Sequence, residues 1–281
     1  MHQNKRLTVA HTHEVDSGER FQFGRNWGEF LRLLTDEHIG RAEESLKQML
    51  DLESLHGRSF LDIGSGSGLF SLAARRLGAR VHSFDYDPYS FASTAELRRR
   101  YCPDDREWTV EQGSVLDKQY LESFGQFDIV YSWGVLHHTG SLWQALENVV
   151  PIVKSGGLLF IAIYNDQGKR SLRWRSVKKA YNSFPPKLRF LVLWPVFLKL
   201  WWKRLLKDAL TGRPLRSFRD YKALRGMSLW RDVVDWVGGY PFEVAKPEQI
   251  FDLYYKRGFY LVRIITQAGD LGCNEFVFVK H

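Results

Sequence analysis

A glycine-rich segment that follows a carboxylate, SFLDIGSGSGLF at residues 59–70, is the first place where this sequence could do chemistry. Gly64, Gly66 and Gly68 alternate with serines, and Asp62 stands two positions before the first glycine. Glycines between a strand and a helix let a ligand approach the backbone and the helix N-terminus. Asp62 would repel a diphosphate, whereas it would attract a cofactor that carries a positive charge and an ammonium group.

A second carboxylate, Asp85, stands about twenty residues beyond the glycines, at the end of the segment ARVHSFDYD. From that position an acidic side chain can accept hydrogen bonds from both hydroxyls of a ribose. Tyr86 can lie on an adenine face, and Ser114 and Val115, after the next strand, can flank the adenine rim. A positive charge, a ribose and an adenine together indicate S-adenosylmethionine rather than a nicotinamide dinucleotide.

Two adjacent histidines, His137 and His138, follow the segment QFDIVYSWG. Methyl transfer from a sulfonium is a direct displacement, so the protein must supply in-line positioning and, for a hydroxyl or thiol acceptor, a base. Histidine suits that task at neutral pH. We therefore predict that one of the two is the catalytic base; a polar loop with satisfied hydrogen bonds is the alternative.

Alternating strands and helices would position these residues. The predicted strands are RSFLDIG, ARVHSFDYD, WTVEQGS, QFDIVYSWG and LLFIAIYN. The predicted helices between them are LFSLAARRLG, PYSFASTAELRRRYC, KQYLESFG and SLWQALENVVPIVKSGG, with Gly156 and Gly157 past the end of the last. Such alternation predicts a parallel, doubly wound sheet. Before it, residues 26–55 show helical periodicity, with one break near Thr35.

The C-terminal part predicts a helix, KPEQIFDLYYKRGF, and two closing strands, FYLVRIITQ and NEFVFVKH. Only about eight residues separate the two strands, whereas a parallel crossover needs a dozen or more. The expected fold is therefore α/β: a doubly wound, mostly parallel, seven-stranded Rossmann-like sheet with one reversed strand. A helical insertion follows the fifth strand.

Residues 59–164 resemble the class I S-adenosylmethionine-dependent methyltransferases motif by motif, and the closing strands resemble them in outline. The resemblance implies that the cofactor contacts Asp62, Gly64, Ser65, Gly66, Gly68, Asp85, Tyr86, Ser114, Val115 and Trp133, with Trp133 beside the sulfonium. Many relatives have a carboxylate where this chain has Ser114. The segment SWGVLHH stands where methylases of nucleobase and amide nitrogens have an Asn/Asp-Pro-Pro-aromatic tetrad, which disfavours those acceptors.

Three parts of the chain have distinct roles in this interpretation: an N-terminal helical cover (1–56), the cofactor-binding domain (57–165 and 246–281) and a helical insertion that forms a substrate lid (166–245). In the cover, Phe23, Asn26 and Trp27 could fold over the cofactor and acceptor, or could only fix the first helix. At the end of the insertion, Tyr240 and Glu243 are predicted to contact the substrate, with ordinary turn packing as the alternative.

The insertion carries the positive charge of the chain. Residues 166–236 hold 18 Lys and Arg against five Asp, whereas the whole chain has a net charge of +8, and six of the ten Trp lie there. Three interpretations stay open: a lid with solvated charges, a peripheral contact of residues 187–207 with an anionic membrane, or an RNA contact. Pro195 and the short apolar run argue against a membrane-spanning helix.

The leading hypothesis is a methyltransferase that acts on a hydroxyl group of a small molecule, with a thiol or an amine as variants. The alternatives are a tRNA methyltransferase, although nucleic acid is the less favoured partner, and a non-catalytic module that binds the cofactor or a membrane. Two cysteines, Cys102 and Cys273, form no metal-ligand spacing, and we expect no metal. We expect a cytoplasmic protein, at most peripheral to the inner membrane face.

Overall fold

Seven strands form a single sheet with β1 near its centre. A computed structural model describes residues 2–213 and 229–281. The strands are β1 (Ser59–Ile63), β2 (Arg80–Asp85), β3 (Trp108–Gln112), β4 (Phe127–Trp133), β5 (Val153–Tyr164), β6 (Phe259–Ile265) and β7 (Cys273–Lys280). Their order is β3-β2-β1-β4-β5-β7-β6, and β7 runs antiparallel to both β5 and β6. The predicted fold class, with one reversed strand, is confirmed.

Helices cover the sheet and extend it at both ends of the chain. The N-terminal helices are α1 (His2–Asp16), α2 (Gly24–Leu33) and α3 (Asp36–Leu50). Those between the strands are α4 (Leu69–Arg76), α5 (Pro88–Tyr101), α6 (Lys118–Glu122) and α7 (Leu142–Val149). The insertion forms α8 (Lys169–Ser183), α9 (Phe190–Leu210) and α10 (Leu229–Gly238), and α11 (Pro247–Tyr255) returns to the sheet. The part of the insertion at 214–228 lies outside the described residues.

One helix prediction needs correction and another is confirmed. The helix predicted to run up to Gly156 ends at Val149, because Pro151 lies in a short 3-10 turn and β5 already begins at Val153, which pairs with Phe127. The break predicted near Thr35 is confirmed, because α2 ends at Leu33 and α3 begins at Asp36. Thr35 is extended and forms a capping box with His38 at the start of α3.

The sheet separates two buried apolar clusters. Leu61 and Ile63 of β1 belong to the cluster beneath α7 and α11, whereas Phe60 belongs to the cluster beneath α3 and α4. This alternation is the period of two that a strand imposes on its side chains. Because both faces are covered, the carboxyl ends of the parallel strands are the part of the sheet open to a ligand.

A third apolar cluster joins the insertion to the N-terminal part. It includes Phe21, Trp174 of α8, Phe197 of α9, Val237 of α10 and Phe242. This packing holds α8, α9 and α10 against the segment that links α1 to α2. Within the described residues, no helix combines the length and the apolar composition needed to cross a bilayer.

Candidate active site

A cavity of about 960 Å³ lies at the carboxyl ends of β1, β2 and β4 and extends under α1 and α2. Its volume is at the upper end of the roughly 300–1,000 Å³ that small-molecule pockets occupy. Although the chain as a whole is basic, the charged lining is acidic. Among the described residues it has one arginine, Arg20, and six carboxylates, Glu14, Asp62, Asp85, Asp87, Asp117 and Glu275. The cavity therefore favours a cationic ligand.

The glycine segment forms one wall of this cavity. Gly66 has φ of +57°, and a Cβ there would lie 3.2 Å from the indole of Trp27, which therefore packs directly on the loop. Gly64, Ser65 and Trp27 also line the cavity. Gly68 does not: its φ is +81° and a Cβ would lie 3.0 Å from the Thr94 side chain, so it allows α4 to approach α5.

Asp62 is 2% exposed and lines the cavity. Its carboxylate accepts a hydrogen bond from the Ser71 hydroxyl. Since Ser71 has donated its only proton, it accepts a hydrogen bond from the Ser83 hydroxyl. Ser83 in turn accepts a hydrogen bond from the Trp108 indole N–H at 2.8 Å. Burial raises the pKa of Asp62 to about 7, and the Ser71 hydrogen bond opposes this only partly. Within the described residues no cation pairs with Asp62, so a positively charged ligand would stabilise its ionised form.

Asp85 is held by backbone N–H groups on both sides. Its two oxygens accept from Gly66 and Asp87, each at 2.9 Å. Burial, and next the Asp87 carboxylate, raise the pKa of Asp85 to about 7. Each carboxylate oxygen keeps a second lone pair, so the side chain can still accept hydrogen bonds from a pair of hydroxyls.

Tyr86 lies between the sheet and α1. Its hydroxyl donates to Glu14 at 3.0 Å, the Arg20 guanidinium lies 4.9 Å from its ring centroid, and His11 meets the ring edge. Burial raises the pKa of Tyr86 to about 12. Tyr86 lines the cavity, and the contacts with Glu14 and Arg20 fix the orientation of its ring there.

The far walls of the cavity come from the ends of β3, β4 and β7. Ser114 and Val115 line it, and the Ser114 hydroxyl accepts from the backbone N–H of Leu116 at 3.2 Å. Trp133 is 45% exposed and also lines the cavity. Glu275 also lines the cavity, and burial, opposed by the Trp133 indole, raises the pKa of its carboxyl.

The structure separates the two histidines. His138 lines the cavity and its Nδ1 lies 2.6 Å from the Pro241 carbonyl oxygen, so Nδ1 carries the proton and Nε2 keeps a lone pair. His137 is fully buried outside the lining, with Nδ1 accepting from the Tyr164 N–H at 3.3 Å. Burial lowers the pKa of His138 to about 3 and that of His137 well below its usual range.

Three predicted substrate residues lie outside the cavity lining, whereas Phe23 is part of it. The Asn26 amide donates to Asp235 and so connects α2 with α10. Both oxygens of Glu243 accept from the backbone N–H of Leu142, at 3.1 and 3.0 Å, so its carboxylate caps α7. Tyr240 packs beside the third apolar cluster, and its carbonyl accepts from Phe21.

Several lining residues were not anticipated from the sequence. Arg20 donates to the carbonyl oxygens of His138 and Thr139, at 2.8 and 3.5 Å, and so ties the N-terminal part to the histidine turn. Tyr164, Trp236 and Glu275 also line the cavity. Apart from the strand-end position of Tyr164, no local motif marks them, because the insertion and the reversed strand bring them together.

The site residues fit the cofactor that the sequence indicates. Asp85 offers free lone pairs beside a glycine backbone that Trp27 covers, and Asp62 is a buried carboxylate that lacks a cationic partner among the described residues. A ribose needs the first arrangement and an ammonium or sulfonium group the second. A diphosphate would meet Asp62, Asp85 and Asp87 together.

Comparisons with known proteins agree with this site. A family model described as a methyltransferase domain matches residues 61–159. A ubiquinone biosynthesis O-methyltransferase of Parvibaculum lavamentivorans is 29% identical over 142 residues, 48% of this chain and 49% of the relative. A ribosomal protein L11 methyltransferase of Methylococcus capsulatus is 41% identical over 71 residues, 25% of this chain and 24% of the relative. The chain thus spans half or less of the length of these relatives.

The magnesium protoporphyrin IX methyltransferase (ChlM) of Synechocystis PCC 6803, solved with bound SAH, has a similar fold. The match covers 87% of this chain and 84% of that one, with a TM-score of 0.52 and 14% sequence identity. Residues 61–159 of this chain thus match a methyltransferase domain, and the fold of the chain is similar to that of a methyltransferase solved with bound SAH. The resemblance noted in the sequence is confirmed.

Proposed function

We propose that this protein transfers a methyl group from S-adenosylmethionine to a hydroxyl group of a small molecule, with His138 as the base. The observation that carries the proposal is the position of His138 in the cavity wall with its Nδ1 proton held by Pro241. A neutral imidazole in this tautomer can accept a proton only at Nε2. Bound S-adenosylmethionine supplies a methyl group on a sulfonium.

The low pKa of His138 keeps the imidazole neutral before the acceptor arrives but makes it a weak base, so proton transfer to it must accompany methyl transfer. Burial is the main reason for the shift, and the positive charges of Lys178 and Arg20 add to it. Since the imidazole is unprotonated throughout the neutral range, His138 is ready to accept a hydrogen bond from a hydroxyl. When it takes the proton, the positive charge of the sulfonium disappears, so the cavity gains no net charge.

The acceptor end of the cavity is aromatic. Phe23 and Tyr164 lie 4.9 and 5.3 Å from the His138 ring, measured between ring centroids, and Trp236 meets Tyr164 at 5.6 Å. These rings favour a flat or amphipathic molecule and exclude water from the base. The Parvibaculum relative is named as an O-methyltransferase, which supports a hydroxyl group as the acceptor.

Methyl transfer to matched acceptors tests the proposal. The full chain is incubated with methyl-labelled S-adenosylmethionine and a phenol, an aniline or a thiophenol of one carbon skeleton, and the products are identified by mass spectrometry. We expect a labelled methyl ether as the main product. Label that appears only on the amine, or only in an added ribosomal protein or tRNA fraction, would refute the hydroxyl acceptor.

A further inference from the structure

A row of exposed apolar side chains runs along α9. Phe190, Trp194, Leu198, Trp202 and Leu206 follow one another at intervals of four residues, and each is 49% or 50% exposed. Side chains four residues apart are neighbours on a helix, so the five form one continuous row. Contiguous apolar surface of this kind on a folded protein marks an interaction site.

The opposite side of α9 is buried, so the row has a fixed place on the molecule. Leu193, Val196, Phe197 and Trp201 belong to the third apolar cluster, together with residues of α8 and α10. Trp194, at the start of the row, also meets Trp230 of α10 at 5.5 Å between ring centroids. The exposed row therefore does not result from an unpacked helix.

Basic side chains accompany the row. Lys199, Lys203, Arg204 and Lys207 are all exposed, and among the described residues none of the four forms an ion pair. The acidic residue of α9, Asp208, is buried. An exposed face that joins tryptophan, leucine and unpaired lysine is complementary to a surface that is apolar inside and anionic outside.

We propose that this surface, the α9 face, docks on an anionic lipid bilayer, with Trp194 and Trp202 at the interface and the lysines among the lipid headgroups. Tryptophan favours the boundary between headgroups and acyl chains, and lysines near an anionic leaflet are attracted to it. A symmetric contact with a second copy would bring the basic residues of both chains together. RNA would satisfy the lysines but would leave the leucines against phosphates.

The buried side of α9, opposite the α9 face, connects to the cavity through one apolar cluster. The cluster that buries the other side of α9 includes Phe21, and Phe21 lines the cavity. If the proposed small-molecule acceptor is correct, docking would bring the cavity close to an acceptor dissolved in the bilayer. This step depends on the proposed function, whereas docking itself does not.

Vesicle flotation tests the docking directly and needs no turnover. The full chain is mixed with vesicles of phosphatidylcholine alone or of phosphatidylcholine with about one third phosphatidylglycerol, and the floating fraction is measured at low and at physiological salt. We expect flotation with the anionic vesicles, weaker at higher salt because of screening, and little with the neutral ones. Failure to float with anionic vesicles at low salt would overturn the proposal.

Two variants assign the binding to the α9 face. Trp202→Ser should weaken vesicle binding about tenfold or more. Lys203→Gln with Lys207→Gln should weaken it about 25-fold, since each lysine near the surface accounts for about fivefold. Trp143→Ser is the control for the first, because Trp143 is 43% exposed on α7. Lys118→Gln with Lys256→Gln, at exposed positions elsewhere, is the control for the second.

The outcomes separate the possible occupants. Circular dichroism checks that each variant is folded. If Trp202→Ser does not fold, the variant with both exposed lysines replaced still tests the proposal. Equal vesicle binding by the α9 variants and their controls would overturn the proposal. Two further results, each without flotation, would also overturn the proposal. The first is binding to RNA that depends on the lysines but not on Trp202. The second is a dimer of the chain that Trp202→Ser dissociates.

Discussion

The two ends of the cavity are built in different ways. The cofactor end takes Asp62, the glycine loop and Asp85 from one stretch of 24 residues, in which the Gly66 N–H donates to Asp85 at 2.9 Å. The proposed acceptor end takes Phe23, His138, Tyr164 and Trp236 from four separate parts of the chain, which ring contacts hold together. The cofactor end is thus a local structure, whereas the acceptor end depends on how the insertion packs, and substrate choice can change there without loss of the cofactor.

Replacing the base should give the largest effect and only at the acceptor end. His138→Ala should lower kcat about a hundredfold or more, while the Kd for S-adenosylhomocysteine stays within about twofold, because the imidazole acts on the acceptor. Single-turnover kinetics and calorimetry measure the two quantities. His56→Ala, at an exposed position on the other side of β1, is the control. Equal losses in kcat and in cofactor affinity would mean that His138 also holds the cofactor, which would contradict the separation of the two ends.

The pH dependence of kcat tests whether His138 is a buried base. Because burial lowers the pKa of His138 to about 3, the loss of the neutral base on acidification lies far below the value of about 6.5 of a free histidine. We expect kcat to stay nearly constant from pH 8 down to pH 5.5. A fall centred near pH 6.5 that disappears in His138→Ala would show a solvated histidine and a more open acceptor end.

The buried carboxylate at the cofactor end should make stability depend on pH. An unfolded Asp loses its proton near pH 4, whereas the folded Asp62 keeps it until about pH 7, so the native state holds more protons between these values and stability falls as pH rises. We expect Asp62→Asn to remove a loss of about 3 to 4 kcal/mol in unfolding free energy between pH 4 and pH 7. Urea unfolding at the two pH values measures it. Parallel pH curves for the variant and the wild type would contradict this.

Asp85→Asn tests the contact with the ribose. The amide keeps one acceptor oxygen and loses the charge, so cofactor affinity should fall about tenfold or more. Asp117→Asn is the matched control, because Asp117 also lines the cavity but its side chain caps α6, a role that asparagine performs equally well. A similar loss of cofactor affinity in both variants would mean that affinity depends on the total charge of the cavity rather than on the contact with Asp85.

The smallest expected effect concerns the contact between the glycine loop and Trp27. Gly66→Ala and Gly57→Ala introduce a side chain at similar positive φ, +57° and +74°, but only Gly66 has Trp27 within 4 Å. Both should cost about 1 kcal/mol of stability through backbone strain, and only Gly66→Ala should also weaken cofactor binding. Thermal unfolding and calorimetry separate the two effects. Unchanged cofactor binding in Gly66→Ala would mean that this cover is not part of the cofactor site.

Sequence reasoning predicts the cofactor end better than the acceptor end for a physical reason. Asp62 and Asp85 lie at the carboxyl ends of β1 and β2 and Gly66 follows β1, so the local pattern places them at one edge of the sheet. Glu243 follows a turn that suggests a substrate contact, yet its carboxylate caps α7, 101 residues away in the chain. Arg20 and Trp236 reach the cavity only through the packing of α1 and α10, which no short-range pattern encodes.

The central claim is that this acidic cavity binds S-adenosylmethionine at the ends of β1 and β2. Isothermal titration calorimetry of the full chain with S-adenosylmethionine, S-adenosylhomocysteine and NAD tests it most directly. The account predicts one site per chain for the first two ligands, weakened in Asp85→Asn, and no binding of NAD, whose diphosphate would face Asp62, Asp85 and Asp87. If neither S-adenosylmethionine nor S-adenosylhomocysteine gives a binding signal at about 1 mM, the free energy of binding is weaker than about 4 kcal/mol. That result would contradict the central claim.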